Sequence, residues 1–270
     1  MTPADAQAEY DNRARVPEHP RIIEGWARDA AAFRASWPHA DLGLAYGPGE
    51  RERLDLFRPG PGGAWLLALF LHGGYWQALD RSFFSHVARG PLARGVAVAV
   101  ASYDLCPAVP LARIVDQARA AAAFLHRRAG RRLLAFGHSA GGHLAAMLLA
   151  TDWRALDPTL PADLVSAALP VSGVFELEPL LPTTMAEPLR LKPEEARSLS
   201  PRWLPPPGGA LHVAVGGEES GEFIRQSRDF ASAWGGGFET LPGLDHFTVL
   251  APFAEPGSAL AAKVAALVPR

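Results

Sequence analysis

Five short apolar runs constrain the fold of this chain more than any other feature: residues 65–71, 96–102, 132–136, 167–171 and 211–215. Each is too short for a helix and too continuous for a strand with one wet face. They are rich in Val and Leu, the pattern of parallel strands covered on both sides. Helical spacing of apolar residues fills the gaps, over 82–94, 111–128, 142–150 and 222–234. Such alternation predicts an α/β fold, a doubly wound and mostly parallel central sheet with helices on both faces. Ligands of these sheets bind at the carboxyl ends of the strands. His72, Ser139, Ser172, Glu219 and His246 all fall just past such an end.

Flanking segments complete the outline. Ile22, Ile23, Trp26, Ala30, Phe33 and Trp37 recur at helical spacing behind Pro17 and Pro20, so an N-terminal helical extension is expected over about 18–37. Residues 42–46, 52–57 and 238–241 read as further strands. From 175 to 207 the rhythm breaks, with Pro179, Pro182, Pro188, Pro193, Pro201 and Pro205-Pro206-Pro207, and this stretch is expected to form a cap-like excursion over the site. With 270 residues and 49% apolar content, a single domain over 1–270 is expected.

Charge and cysteine usage exclude several classes. The net charge is −2 with 20% charged residues of both signs and no run of five like charges, which argues against nucleic acid or an anionic membrane surface as partner. Arg127-Arg128 and Arg131-Arg132 read as a helix C-terminus meeting its own dipole. Cys106 is the sole cysteine, so neither an internal disulfide nor a cysteine-based zinc site is available. The first residues lack a basic start followed by an apolar core, and no apolar stretch reaches the roughly 18 residues of a membrane span. A soluble, cytoplasmic protein is expected, with a small molecule as partner and a homodimer left open.

Two glycine-bearing words carry the chemistry. Gly137-His138-Ser139-Ala140-Gly141 follows one apolar run and precedes His143-Leu144-Ala145-Ala146-Met147, which places Ser139 on a sharp strand-to-helix turn, the setting of a nucleophile elbow. A serine hydroxyl is a weak nucleophile at neutral pH and needs a base, itself held by an acid. His246, in Gly243-Leu244-Asp245-His246-Phe247 near the C-terminus, is the best-placed base. Glu218 and Glu219 are the carboxylates after the preceding core strand, with Glu219 preferred and Glu218 left open. Asp245 is adjacent to the histidine on a loop and seldom able to reach its ring. His138 and His143 are expected to pack or to bond backbone. The remaining histidines, His19, His39, His86, His126 and His212, have no supporting context.

The second word is His72-Gly73-Gly74-Tyr75-Trp76. Acyl transfer develops an oxyanion that preorganised N–H groups must hold. The amides of Gly73, Gly74 and Ala140 are the expected donors. Tyr75 and Trp76 read either as an aromatic substrate pocket or as core, and His138 and Ser172 join them as candidate substrate contacts. Asp104 reads as structural, and no glycine elbow surrounds Cys106.

These words, with Ser102-Tyr103-Asp104, Val115-Asp116-Gln117, Val171-Ser172-Gly173-Val174-Phe175-Glu176-Leu177-Glu178-Pro179-Leu180, Glu222-Phe223 and Arg225-Gln226-Ser227, resemble the α/β-hydrolase type of arylformamidase, also called kynurenine formamidase, within the HGG-motif esterases and lipases. The resemblance covers about 65–250. It implies the α/β-hydrolase fold and hydrolysis of N-formylkynurenine to kynurenine and formate, a step of tryptophan breakdown, without metal or organic cofactor. The family usually has aspartate where this chain has Glu219. A carboxylesterase acting on small acyl esters is the alternative within the class, and a non-catalytic binding protein on a hydrolase fold the alternative outside it.

Overall fold

Alternating side chains of the apolar runs enter opposite faces of one sheet, and each face has its own cover. In a computed structural model that describes residues 2–62 and 65–269, the strands are β1 (Ala40–Ala45), β2 (Arg53–Phe57), β3 (Leu66–Leu71), β4 (Val96–Ala101), β5 (Leu133–His138), β6 (Val165–Val171), β7 (Ala210–Gly216) and β8 (Gly237–Leu241). Their order across the sheet is β1-β2-β4-β3-β5-β6-β7-β8. β1 pairs antiparallel with β2, and β2 with β4, while every pairing beyond β4 is parallel.

The helices, in chain order, are α1 (Pro3–Tyr10), α2 (Asn12–Arg15), α3 (His19–Ser36), α4 (Arg89–Leu92), α5 (Leu111–Ala129), α6 (Ala140–Leu149), α7 (Trp153–Leu156), α8 (Pro193–Ser198), α9 (Gly221–Ala233), α10 (Ala251–Ala254) and α11 (Ala259–Leu267). Leu67, Leu69 and Leu71 of β3 and Ala97, Ala99 and Ala101 of β4 pack with α5, α6 and α9. Ala68 and Phe70, with Val96, Val98 and Val100, pack instead with α3, α4, α10 and α11. The period of two in each strand therefore builds two cores back to back. Among the described residues no helix is long and apolar enough to cross a membrane.

Three local departures from the sequence reading stand out, two of them with a plain physical cause. Residues 82–94 are not one helix but the 3-10 turns Arg81–Phe83 and Ser85–Ala88 followed by α4. Pro91 has no N–H to donate to the Val87 carbonyl, so an α-helix is tolerated there only with Pro91 in its first turn. The N-terminal helices α1 and α2 lack a clear apolar stripe, since only Ala6 and Tyr10 of α1 and Asn12 of α2 are buried. What starts them is capping. Thr2 accepts from the Asp5 N–H ahead of Pro3, and Asp11 accepts from the Ala14 N–H. The third is α11, whose Leu260, Ala261 and Val264 are buried on the sheet face shared with α10. The segment 175–207 holds only short pieces: Glu178–Leu180, Thr184–Leu189, α8 and Pro201–Trp203. Of the two arginine pairs, Arg127-Arg128 ends a helix, while Arg131 and Arg132 lie past it and Arg132 pairs with Asp163. α5 stops at Gly130 in the left-handed conformation, with Arg127 paired to Asp157 and Arg128 to Asp41.

Strand order places the chemistry. β3 and β5 are neighbours, with Leu71 paired to Gly137, so the loop carrying Gly73 and the turn carrying Ser139 leave the sheet side by side.

Candidate active site

Ser139 closes the turn between β5 and α6 with φ 54° and ψ −119°. For a residue with a Cβ this left-handed backbone is strained by roughly 1–3 kcal/mol and persists because its surroundings over-determine it. Gly141 shows how. A Cβ there would overlap the Leu71 carbonyl, so α6 can lie this close to β3 only with glycine at that position. The turn holds the Ser139 side chain at the wall of a cavity of about 420 Å³.

Two partners follow in line. The Ser139 hydroxyl lies 3.1 Å from Nε2 of His246, whose Nδ1 lies 2.6 Å from Oε2 of Glu219. The other carboxylate oxygen, Oε1, accepts from the Gly216 N–H at 2.8 Å and from the Ser172 hydroxyl. Glu219 is thus fully supplied with donors, and its position fixes the proton of His246 on Nδ1, leaving Nε2 to accept from Ser139. The imidazole is held edge-on against Phe223, with ring centroids 4.7 Å apart, and lies beside His138. Glu218 offers its backbone N–H to Leu244, and Asp245 is occupied with the N–H groups of Phe247 and Thr248. Burial pushes the Cys106 thiol up to about 11, away from thiolate character.

Gly73 packs directly behind the serine, since a Cβ added to it would sit 3.1 Å from that of Ser139. Among the described residues the N–H groups of Gly73, Gly74 and Ala140 make no hydrogen bond. Ala140 starts α6, where the first N–H groups have no helical partner. A hydroxyl, an imidazole that can take its proton, and unpaired amides beside it can together support attack on a carbonyl. Among the described residues no group of three or more His, Cys, Asp or Glu is placed to hold a metal ion.

The substrate-contact residues separate. Gly74, Tyr75 and Trp76 have φ of 112°, 51° and 57°, a left-handed run in which the rings of Tyr75 and Trp76 touch edge-on at 6.4 Å yet have different surroundings. Tyr75 lines the cavity. Trp76 does not: it is fully buried, edge-on to His143 at 5.0 Å, so it belongs to the core. Ser172 is likewise withdrawn from the cavity, because its hydroxyl is committed to Glu219. His138 does reach the cavity wall, while its Nε2–H donates to the His246 carbonyl at 2.7 Å. His143 bonds the Leu199 carbonyl, and Asp104 ties its loop to Gln117 of α5.

Other wall residues were not legible from sequence. Tyr10, Asp11, Asn12 and Arg13 come from the N-terminal segment, and Ile23 and Trp26 from α3. The excursion reaches the cavity through Thr184 and Met185. A buried aromatic in an otherwise polar N-terminus, Tyr10, was the available signal.

Four buried histidines make the fold acid-labile. Burial away from water pushes His72, His86 and His143 down to about 4 and His138 well below its ordinary value. The unfolded chain, with histidines near 6.5, therefore takes up protons first as the pH falls. The stability tied to these groups is complete above about pH 6.5 and is lost from there toward pH 4, about 1 kcal/mol per histidine at about pH 5.5. Urea unfolding at about pH 7.5 and about pH 5.5 is expected to differ by several kcal/mol. Equal values would contradict neutral burial.

A family model for the α/β hydrolase fold matches residues 68–202. Kynurenine formamidase from Salmo salar is 34% identical over 224 residues, covering 77% of this chain and 75% of the relative. The corresponding Danio rerio protein is 31% identical over 223 residues, with the same coverage of both. A solved structure from Silicibacter sp., a candidate thioesterase, superposes with a TM-score of 0.89 at 35% identity, covering 96% of this chain and 98% of its own. By sequence, fold and order of elements, the chain is a hydrolase that belongs to the α/β-hydrolase family and, within it, to the kynurenine formamidase family.

Proposed function

We propose that this enzyme is an arylformamidase that converts N-formylkynurenine to kynurenine and formate. The observation that carries the reading is the line of hydrogen-bond distances from Ser139 through His246 to Glu219 at the wall of a cavity large enough for one substituted ring. Ser139 Oγ attacks the formyl carbon while His246 Nε2 takes its proton. The carbonyl oxygen, now negative, is held by the N–H groups of Gly73, Gly74 and Ala140. His246 then returns the proton to the arylamine nitrogen, the C–N bond breaks, and formyl-Ser139 remains. A water, deprotonated by His246, attacks the formyl carbon, the bond to Ser139 Oγ breaks as His246 returns the proton to it, and formate leaves. Glu219 holds the imidazole in the required tautomer throughout. The chain works as one domain on a small molecule in the cytoplasm, without nucleic acid as partner, and sedimentation velocity distinguishes a monomer from a homodimer.

Cleavage of an ester or thioester is the second reading, favoured by the candidate thioesterase among the similar structures. Side-by-side kinetics separate the two. A formanilide is expected to be turned over with higher kcat/KM than p-nitrophenyl acetate, and brisk ester cleavage with an inert formanilide would overturn the formamidase reading. A binding protein without catalysis would cleave neither.

Gly73→Ala tests the placement of the amides. The added methyl would lie 3.0 Å from His138 Nδ1 and 3.1 Å from the Ser139 Cβ, so the serine or the loop must shift. The neighbours must give by a few tenths of an ångström; since a full 1 Å misplacement costs about a hundredfold, a fall in kcat of about tenfold is expected, with little change in melting temperature. A wild-type kcat would count against the role of this loop.

A further inference from the structure

The cavity has a wall that the reaction at Ser139 does not use. Asp11, Asn12 and Arg13 line it, carried by α2 and the turn before it. This segment is fixed in place. Tyr75 Oη donates to the Tyr10 carbonyl at 2.6 Å, the Gln226 amide donates to Tyr10 Oη at 2.5 Å, and the Glu222 N–H donates to Glu9 at 2.8 Å. On the far side, Gln7 Oε1 accepts from the Thr184 N–H at 2.9 Å.

What this wall presents is charged and incompletely paired. Arg13 is exposed and has no ion pair or hydrogen bond among the described residues. Asn12 is 4% exposed, yet its side-chain amide nitrogen has no partner. A buried N–H₂ left unbonded costs roughly 1–3 kcal/mol, which an acceptor arriving with a ligand would remove. Asp11 spends Oδ1 on the Ala14 N–H at 3.0 Å, setting the first turn of α2, and keeps Oδ2. Two donors, one of them cationic, match a carboxylate, and a carboxylate oxygen next to them matches an ammonium. Both charges bear on one wall: Tyr75, whose hydroxyl is pushed up first by burial, is pushed further by Asp11 and opposed by Arg13.

We propose that this wall is a subsite for the zwitterionic tail of an α-amino acid on the substrate, with Arg13 and Asn12 holding its carboxylate and Asp11 its ammonium. The proposal rests on the formamidase reading for the bond that is cleaved, and on the wall alone for the tail. It makes the enzyme selective for acylated arylamines that carry an amino acid over those that do not.

The test uses inhibition, so that it stands apart from the formamide question. Hydrolysis of p-nitrophenyl acetate, or fluorophosphonate labelling if the ester is inert, is measured with β-benzoylalanine, which has the tail, and with butyrophenone, which lacks it. The wild-type enzyme is expected to bind the tailed competitor at least about tenfold more tightly, the range of a charge-assisted contact. Arg13→Gln is expected to abolish most of that preference. Asp11→Asn, which keeps the cap to Ala14, is expected to reduce it. Labelling of Ser139 in each variant checks that the site is folded. Equal binding of the two competitors by the wild type, or an unchanged preference in both labelled variants, would overturn the subsite. Failure to cleave any formamide while the preference holds would instead overturn the formamidase reading alone.

Discussion

Ser139→Ala is expected to lower kcat by about a millionfold while leaving the melting temperature within a few degrees of wild type. The size follows from the mechanism, because among the described residues the hydroxyl of Ser139 is the one bonded to His246 Nε2. The preserved stability follows from the structure. Alanine keeps the Cβ of a residue that is 1% exposed, so the elbow stays filled and the backbone at φ 54° is no more strained than before. What the substitution removes is the hydroxyl and its 3.1 Å hydrogen bond to His246. Thermal melts beside turnover of a formanilide check both halves. A melt shifted by many degrees would mean that the loss of activity reports unfolding.

Glu219→Gln is expected to lower kcat by roughly 10⁴-fold, for a reason the geometry makes specific. Oε1 accepts from two donors, Gly216 N–H and the Ser172 hydroxyl, so the glutamine carbonyl must occupy that position. Its NH₂ then faces His246 Nδ1 in place of Oε2. Nδ1 is forced to accept, the ring proton moves to Nε2, and the atom facing Ser139 becomes a donor that cannot take a proton. The side chain keeps its shape and its burial, so the loss belongs to the tautomer. A fall of less than about tenfold would show that Glu219 does not orient the base.

The residues that were legible in sequence are those whose role is imposed by local chain geometry. Runs such as 96–102 read as buried strands, and the G-x-S-x-G word between such a run and an apolar helix reads as an elbow, so β3 to β7 and Ser139 follow from pattern in context. His246 follows from chain order. What pattern leaves open is the surroundings of individual side chains. Tyr75 and Trp76 are adjacent and similar, and the structure separates what the sequence left open: Tyr75 lines the cavity and Trp76 fills the core. Ser172 lies beside the site, yet its hydroxyl is claimed by Glu219, a partner 47 residues away that spacing cannot reveal. The wall formed by Tyr10 to Arg13 was hidden because α1 and α2 are held by caps and by polar bonds to Glu222, Gln226 and Tyr75 rather than by an apolar stripe.

Every step of the mechanism requires that the alcohol at 139 be activated by the imidazole at 246. Treatment with a fluorophosphonate followed by peptide mass mapping reads this directly. One adduct is expected, on the peptide containing Ser139, and it should disappear in His246→Ala. An unmodified Ser139, an adduct on another residue, or labelling that persists undiminished without His246 would contradict the mechanism.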